Sequence, residues 1–408
     1  MINPLRGMKD IAFEDAKKFN YIVDTIKGIV SRYGYEYLET PKLEETALFT
    51  RSVGESSDIV NKEMYNFKDK GDRDICLRPE GTAGAVRFFI SNKLDRVGGK
   101  YKFFYYGSMF RYERPQKGRL REFHQFGCES FGEASVYEDY TIIEMVDKIL
   151  KALKIDATLE INSLGCSECM PTYTNNLVKF LESKRENLCE DCNKRLSTNP
   201  MRVLDCKNPN CKKELEESPK ITDNLCENCD SDFKKLLKLL DSNNISYKVN
   251  KNLVRGLDYY NKTAFEFVSS NLGAQGTVAG GGRYDKLVEF LDGKPTPAIG
   301  FGMGIERVME LVDTPKDSEE IYYIGSLDSE YIDNIISIAN SIRDNKKVIL
   351  EYKAKKQHAH LKAASKVGAT YCLIMGENEF KESSIWVKNL NTQSQELIEI
   401  NKFIETTK

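Results

Sequence analysis

The sequence predicts an α+β domain built on an antiparallel sheet, interrupted by a cysteine-rich insertion and followed by a separate α/β domain. Two aromatic and β-branched runs between about residues 100 and 132 flank a polar loop, the pattern of a long hairpin. Eight of the eleven cysteines crowd into one stretch rich in Lys, Glu and Asn. Beyond a proline-containing linker, short apolar runs alternate with helical patterns. With 408 residues, 40% hydrophobic and 30% charged, the chain is long enough to bury a large core in two or three domains.

In chain order, a helix is expected from about Glu14 to Tyr33, because Phe19, Ile22, Ile26 and Ile29 recur at helical spacing before the Tyr33-Gly34 break. The runs YKFFYYGSMFRYE and FHQFGCESFGE read as two antiparallel strands joined by the loop Pro115-Gln116-Lys117-Gly118-Arg119. Strand patterns return at 157–164, Ile245–Val249 and Thr263–Val268. The insertion occupies 166–241, so the first domain covers 1–165 and 242–314. After the linker Asp313-Thr314-Pro315-Lys316-Asp317, the runs Ile321–Ile324, Val348–Leu350 and Tyr371–Met375 alternate with helices at about 330–343 and 357–367. That is a βαβ arrangement with parallel strands, over 318–408.

Composition narrows the chemistry. The first residues carry scattered charge without an apolar leader, and no run approaches the ~18 apolar residues of a membrane span, so a cytoplasmic location is expected. A net charge of −2 means that a nucleic-acid partner must be held by local Lys and Arg patches. Only His124, His358 and His360 are present, a poor basis for clusters of histidine ligands or relays of imidazoles. Acids, arginines and tyrosines are left to do the work.

Phe110-Arg111-Tyr112-Glu113, with Lys117, Arg119 and Arg121 in the loop beyond, sets fixed positive charge between two strands where a triphosphate can lie. Arginine suits that task because its planar fork grips phosphate and stays charged. Residues 300–307, GFGMGIER, run from an apolar stretch into a helix with Arg307 in its first turn and small residues where a ligand can approach the backbone.

Together these segments resemble motifs 2 and 3 of class II aminoacyl-tRNA synthetases, with Pro41 where the motif 1 proline is expected. The resemblance narrows to histidyl-tRNA synthetases through Leu253-Val254-Arg255-Gly256-Leu257-Asp258-Tyr259-Tyr260 and Ala279-Gly280-Gly281-Gly282-Arg283-Tyr284-Asp285. Arg78-Pro79-Glu80-Gly81-Thr82 and Arg6-Gly7-Met8-Lys9-Asp10 agree with it, and the C-terminal section is similar to that class's anticodon-binding domain.

The resemblance implies activation of L-histidine by ATP with Mg²⁺, transfer to tRNA(His), and a homodimer formed through the Pro41 region. It implies catalytic roles for Arg111, Arg255 and Arg307, and ATP contacts from Arg111, Glu113, Arg119 and Arg307. It places Glu80, Thr82 and Gln125 at the histidine ammonium, Glu129 and Tyr260 at the ring nitrogens, Tyr259 and Tyr284 around the pocket, and Gly81 among the histidine-binding residues. Such a pocket must offer both donors and acceptors, because a neutral imidazole has one of each.

The insert cysteines fall in four pairs: Cys166 and Cys169, Cys189 and Cys192, Cys206 and Cys211, Cys226 and Cys229. Thiolates at such spacing suit tetrahedral zinc, and four pairs make two Cys₄ sites, whereas structural disulfides suit a reducing compartment poorly. Cys76, Cys128 and Cys372 stand alone and read as packing residues. Because the proposed activation residues lie outside the insert, its loss need not abolish adenylate formation. The alternative function is an inactive, histidine-binding regulatory subunit of synthetase type. Such paralogues typically lose the Arg255 peptide and the C-terminal domain, and this chain has both.

Overall fold

The computed structural model describes residues 2–54, 57, 59–116, 118–204, 206, 208–255, 259–314 and 319–407. Lys117, Gly256-Leu257-Asp258 and the linker residues Pro315-Lys316-Asp317 lie outside the described residues. Two units are present, Met1–Thr314 and Pro315–Lys408.

In the first unit the helix Phe13–Val30 buries Ile22, Val23, Ile26, Ile29 and Val30 on one face, with Glu14 and Asp15 in its first turn and Lys27 in its last to complement the helix dipole. One tighter turn, Ser31–Tyr33, extends it to Gly34, whose φ of 79° ends it where the sequence places the break.

Strand β1 (Glu36–Tyr37) leads to a small antiparallel sheet of β2 (Leu43–Glu45), β3 (Tyr65–Lys68) and β4 (Asp74–Leu77). The expected hairpin follows as β5 (Tyr101–Phe110) and β6 (Glu122–Phe131), in register from Tyr101 opposite Phe131 to Phe110 opposite Glu122. Then come β7 (Thr158–Ser163), β8 (Tyr247–Val249), β9 (Asn261–Val268), β10 (Thr277–Arg283) and β11 (Ala298–Gly304). The eight-stranded sheet has the order β1-β5-β6-β11-β10-β9-β7-β8. Its interior pairs are antiparallel and its two edge pairs parallel, and β11, the last strand in sequence, lies in the middle. The glycine run of β10 is a strand because its neighbours come close: a Cβ on Gly281 would lie 2.1 Å from the Gly300 carbonyl oxygen.

The helices Phe13–Val30, Val136–Ala152 and Glu227–Ser242 share one core with Phe126, Phe265, Phe301 and Met303 of the sheet. Each such side chain contributes roughly 1.5–3 kcal/mol on burial. The helix Thr82–Ser91 packs into a second core with Phe103, Phe131 and Tyr284. Cys76, Cys128 and Cys372 are fully buried.

The insert leaves after β7 and returns before β8. Its helices Met170–Ser183, Glu190–Thr198 and Pro209–Glu214 enclose a small core of Tyr173, Leu177, Leu181, Leu196, Val203 and cysteines. The helix Glu227–Ser242 serves both bodies: Cys229 belongs to the insert core, and Phe233, Leu236 and Leu240 to the main one.

The second unit contains β12 (Ile321–Ser326), β13 (Lys347–Leu350), β14 (Tyr371–Met375), β15 (Ser384–Asn389) and β16 (Gln395–Glu399), in the order β13-β12-β14-β15-β16. The parallel pairing of β12 with β13 and β14 follows the sequence reading. The antiparallel pair β15–β16 and the helix Ile400–Thr407 were not read from the sequence, and β16 is mostly exposed, so it carries no alternation to read. His360 is fully buried here, with Nε2 at 2.8 Å from the Ser326 carbonyl and Nδ1 at 3.0 Å from the Tyr323 hydroxyl. Among the described residues no helix is long and apolar enough to cross a membrane.

Candidate active site

A cleft of about 200 Å³ opens over the middle of the large sheet. Its lining brings together Arg111, Arg119, Arg255 and Arg307 with Glu80, Thr82, Glu113, Gln125, Tyr259 and Tyr260. These residues come from segments far apart in sequence, and the sheet order joins them by setting β11 between β6 and β10.

Each arginine is held by a different element. Arg111 follows β5; its Nε donates to the Pro79 carbonyl at 2.9 Å and its guanidinium lies 5.3 Å from the Phe123 ring centre. Glu113 binds Arg119 Nε at 2.5 Å, with Arg111 Nη1 at 4.0 Å, so one carboxylate lies beside two cations. Arg307 lies in the short helix Ile305–Met309, donating from Nη1 to the Thr277 carbonyl at 2.8 Å and from Nε to Gly118. Burial first, then Arg119 and Arg111 close by, lower its pKa from the usual arginine value. Arg255 donates from Nη1 to Glu266 and lies 5.4 Å from the Tyr260 ring centre. Bringing like charges together in a cleft disfavours the ligand-free protein and prepares the site for a polyanion.

Glu80 accepts from the backbone N–H groups of Thr82 (2.6 Å) and Ala83 (2.8 Å), which caps the helix Thr82–Ser91 from one residue outside its N-cap, Gly81. Thr82 turns its hydroxyl the other way, donating to Glu129 Oε1 at 2.8 Å. Tyr105 donates to the same oxygen at 2.9 Å, and Tyr284 donates to Oε2. Burial pushes the Glu129 carboxyl up to about 8, against the pull of these hydroxyls. The Tyr259 hydroxyl is buried without a hydrogen-bond partner among the described residues.

Ten of the predicted site residues therefore line the cleft, whereas Gly81, Glu129 and Tyr284 do not, and Glu129 and Tyr284 are almost completely buried. Gly81 makes room for Tyr105: a Cβ there would lie 2.1 Å from that ring. Gly280 and Gly302 also line the cleft, and a Cβ on either would meet Arg255 at 2.6 Å or Gln125 at 2.3 Å. Sequence reasoning missed Tyr105, Glu266 and Glu306, the last accepting from the backbone N–H of His124 at 2.9 Å. Tyr105 stands in the hairpin alternation like any core aromatic, so nothing in the sequence separates it from its neighbours. Arg283, although inside a signature peptide, does not line the cleft: it is fully buried and bonded to Asp139.

The insert cysteines gather into two tetrads, Cys166 with Cys169, Cys226 and Cys229, and Cys189 with Cys192, Cys206 and Cys211. Within each tetrad the sulfurs all lie within 4.8 Å of one another. Four thiolates so close form a donor set for a soft ion such as zinc.

The histidyl-tRNA synthetase family description matches residues 7–308, and that of an anticodon-binding domain matches 320–408. The chain is 62% identical over 398 residues to a histidine–tRNA ligase of Sulfurovum sp. (strain NBC37-1), covering 98% of this chain and 99% of that one. It is 58% identical, with the same coverage, to a histidine–tRNA ligase of Sulfurimonas denitrificans. The crystal structure of apo S. aureus histidyl-tRNA synthetase superposes with a TM-score of 0.84 at 34% identity, covering 100% of both chains. Full-length likeness to such ligases, around a cleft ringed by arginines, means that the chain belongs to the histidyl-tRNA synthetase family and is a ligase joining histidine to transfer RNA.

Proposed function

We propose that this cleft activates L-histidine with ATP and Mg²⁺ and that the adenylate is then consumed by the 3′ end of tRNA(His). The convergence of Arg111, Arg119, Arg255 and Arg307 on one cleft whose lining also holds Glu80, Thr82, Gln125, Tyr259 and Tyr260 carries the reading. A histidine carboxylate oxygen attacks the α-phosphorus, the bond to the β-phosphate breaks, and pyrophosphate leaves with the electron pair. Arg111 and Arg255 neutralise the charge that grows on the α-phosphate, and Arg307 and Arg119 take the outer phosphates with Mg²⁺. Glu113, beside Arg111 and Arg119, belongs to the same ATP subsite.

In this reading Glu80, Thr82 and Gln125 receive the ammonium, at the start of the helix that follows Gly81. A carboxylate has about four lone-pair positions, so Glu80 can cap that helix and still accept from a ligand. Tyr260 addresses the imidazole from the cleft wall. Glu129 addresses it once the Thr82 or Tyr284 hydroxyl turns aside, and the Tyr259 hydroxyl is available to the ring. The enzyme works as a cytoplasmic homodimer, and its insert carries structural metal on the eight cysteines.

Histidine-dependent exchange of labelled pyrophosphate into ATP tests the activation step. Exchange that is absent, or equally stimulated by unrelated amino acids, removes the reading. Sedimentation of an active monomer at nanomolar concentration removes the dimer.

A further inference from the structure

The two cysteine tetrads differ in what they tie together. Cys189, Cys192, Cys206 and Cys211 all lie inside the insert. Cys166 and Cys169 follow β7, and Cys226 and Cys229 begin the helix that packs into the main core and leads to β8. This base tetrad therefore closes the insert at the point where it leaves the sheet and returns.

The spacing within each tetrad, every sulfur within 4.8 Å of the others, suits one ion. Cys166 Sγ lies 3.8 Å from the sulfurs of both Cys169 and Cys226, and Cys189 Sγ lies 3.8 Å from that of Cys206. A tetrahedral ion with Zn–S bonds of about 2.3 Å sets its sulfurs about 3.8 Å apart, whereas a disulfide needs about 2.05 Å. A four-iron cluster spreads its thiolates around a cube and needs a wider opening. Backbone N–H groups point at the sulfurs: Cys226 donates to Cys169 Sγ at 3.1 Å and Cys189 to Cys211 Sγ at 3.2 Å. Cys189 and Cys226 share one backbone conformation, φ −68° and ψ 163°, each as the N-cap of a helix whose first turn carries the next ligand. Two independent segments have thus adopted the same thiolate-presenting turn.

The base tetrad also reaches toward the cleft. Just before Cys226, Lys220 Nζ donates to Asn252 Oδ1 at 2.6 Å and to the Glu216 carbonyl at 3.1 Å, and Asp223 pairs with Lys251 Nζ at 2.9 Å. On the other side of the same loop, Asn162 of β7 donates to the Leu253 carbonyl at 2.9 Å, and the Asn250 N–H donates to the Ile161 carbonyl. The loop 250–255 is thus gripped between β7 and the insert stretch 220–226, and both grips run directly into base-tetrad cysteines. Arg255 lies in the same stretch, two residues beyond Leu253.

We propose that the insert binds two soft divalent ions, one per tetrad, and that the ion of Cys166, Cys169, Cys226 and Cys229 clamps the stretch 220–226 against the loop that positions Arg255. Binding releases the thiol protons, and each dication offsets two of the four negative charges in its tetrad. Lys220 and Asp223 are positioning residues in this scheme, which rests on the proposed role of Arg255. The insert, separated from activation in the sequence reading, is joined to it by these contacts.

Elemental analysis of the full chain, purified without added metal or nickel affinity, is expected to find two ions per chain, and one in each of C166S/C226S and C189S/C206S. K220A/D223A is expected to keep both ions and the wild-type KM for ATP while its exchange kcat falls roughly 10- to 100-fold, the scale of an ångström-sized misplacement. K220R should recover most of that loss. Fewer than about one ion per chain overturns the metal sites, and wild-type exchange in K220A/D223A alongside a defective R255A overturns the clamp. Normal exchange in R255A itself overturns the underlying reading, and the metal count remains a separate result.

Discussion

Arg255 donates through Nη1 to one oxygen of Glu266, and Thr277 donates to the other oxygen at 2.7 Å, so the guanidinium in the cleft is tethered to a carboxylate fixed from a neighbouring strand. The tether leaves Arg255 Nε, buried and without a hydrogen-bond partner among the described residues, as a donor not yet used. A guanidinium held this way is set in place before phosphate arrives, which is how a cation acts on charge that appears only in the transition state.

Arg255→Ala is expected to lower the kcat of pyrophosphate exchange by roughly 10²–10³-fold, the scale seen on removing a preorganised donor, with a much smaller change in the KM for ATP. Steady-state exchange at varied ATP checks it, and an unchanged kcat removes Arg255 from the mechanism.

Glu129 gives a pH signature. Burial pushes its carboxyl from 4.5 up to about 8 in the folded protein, so folding favours the protonated form. Its contribution to stability is complete below 4.5 and is lost as pH rises through about 8. Thermal melts of ligand-free protein across that window should show a fall in wild type that is flattened in Glu129→Gln, which mimics the protonated state. Equal slopes in the two proteins count against a buried neutral carboxyl.

Gly280 and Gly281 are neighbours with opposite expectations. A Cβ on Gly280 meets the end of the Arg255 side chain, which can shift, whereas one on Gly281 meets the Gly300 carbonyl at 2.1 Å, which cannot. Gly280→Ala should melt close to wild type and exchange poorly. Gly281→Ala should lose more than about 2 kcal/mol of stability. Denaturation and exchange measured on both variants separate the cases, and a well-folded, active Gly281→Ala contradicts the close strand approach.

Asp139 accepts from Arg283 at 2.7 Å and from Thr263 at 2.5 Å, and Arg283 also reaches the carbonyls of Glu133 and Ser135. Both side chains are almost completely buried. Asp139→Ala leaves the buried Arg283 only Asp285, 3.2 Å from Nη1, as a charged partner and strips the Thr263 hydroxyl of its acceptor, so it should cost roughly 1–3 kcal/mol. Chemical denaturation measures it, and a loss below about 1 kcal/mol denies the pair its structural role.

Arg283 also shows where sequence reading stops. Within AGGGRYD it looks as chemical as Arg255 does in its own peptide, yet one lies in the core and the other in the cleft. Residue type and spacing located the hairpin, the Arg307 turn and the parallel strands of the second unit, because alternation and helical period are local properties. Depth is not local. That Glu129 is buried outside the cleft lining, bonded to Tyr105 and Tyr284, depends on which strands become neighbours. The division of the eight cysteines into tetrads likewise depends on the return of the Glu227–Ser242 helix to the end of β7, which spacing alone cannot express.

The central place of β11 bears on how this protein is made. Residues 298–304 are the last of the large sheet to leave a ribosome, yet they fill the gap between β6 and β10. Without them the strand order falls into β1-β5-β6 and β10-β9-β7-β8, and β6 and β10 would each present an unpaired edge of the kind that pairs with another chain. The keystone strand closes both edges at once and carries the chain straight into Arg307. A chain cut short before that strand would therefore lack both the central pairing of the sheet and Arg307.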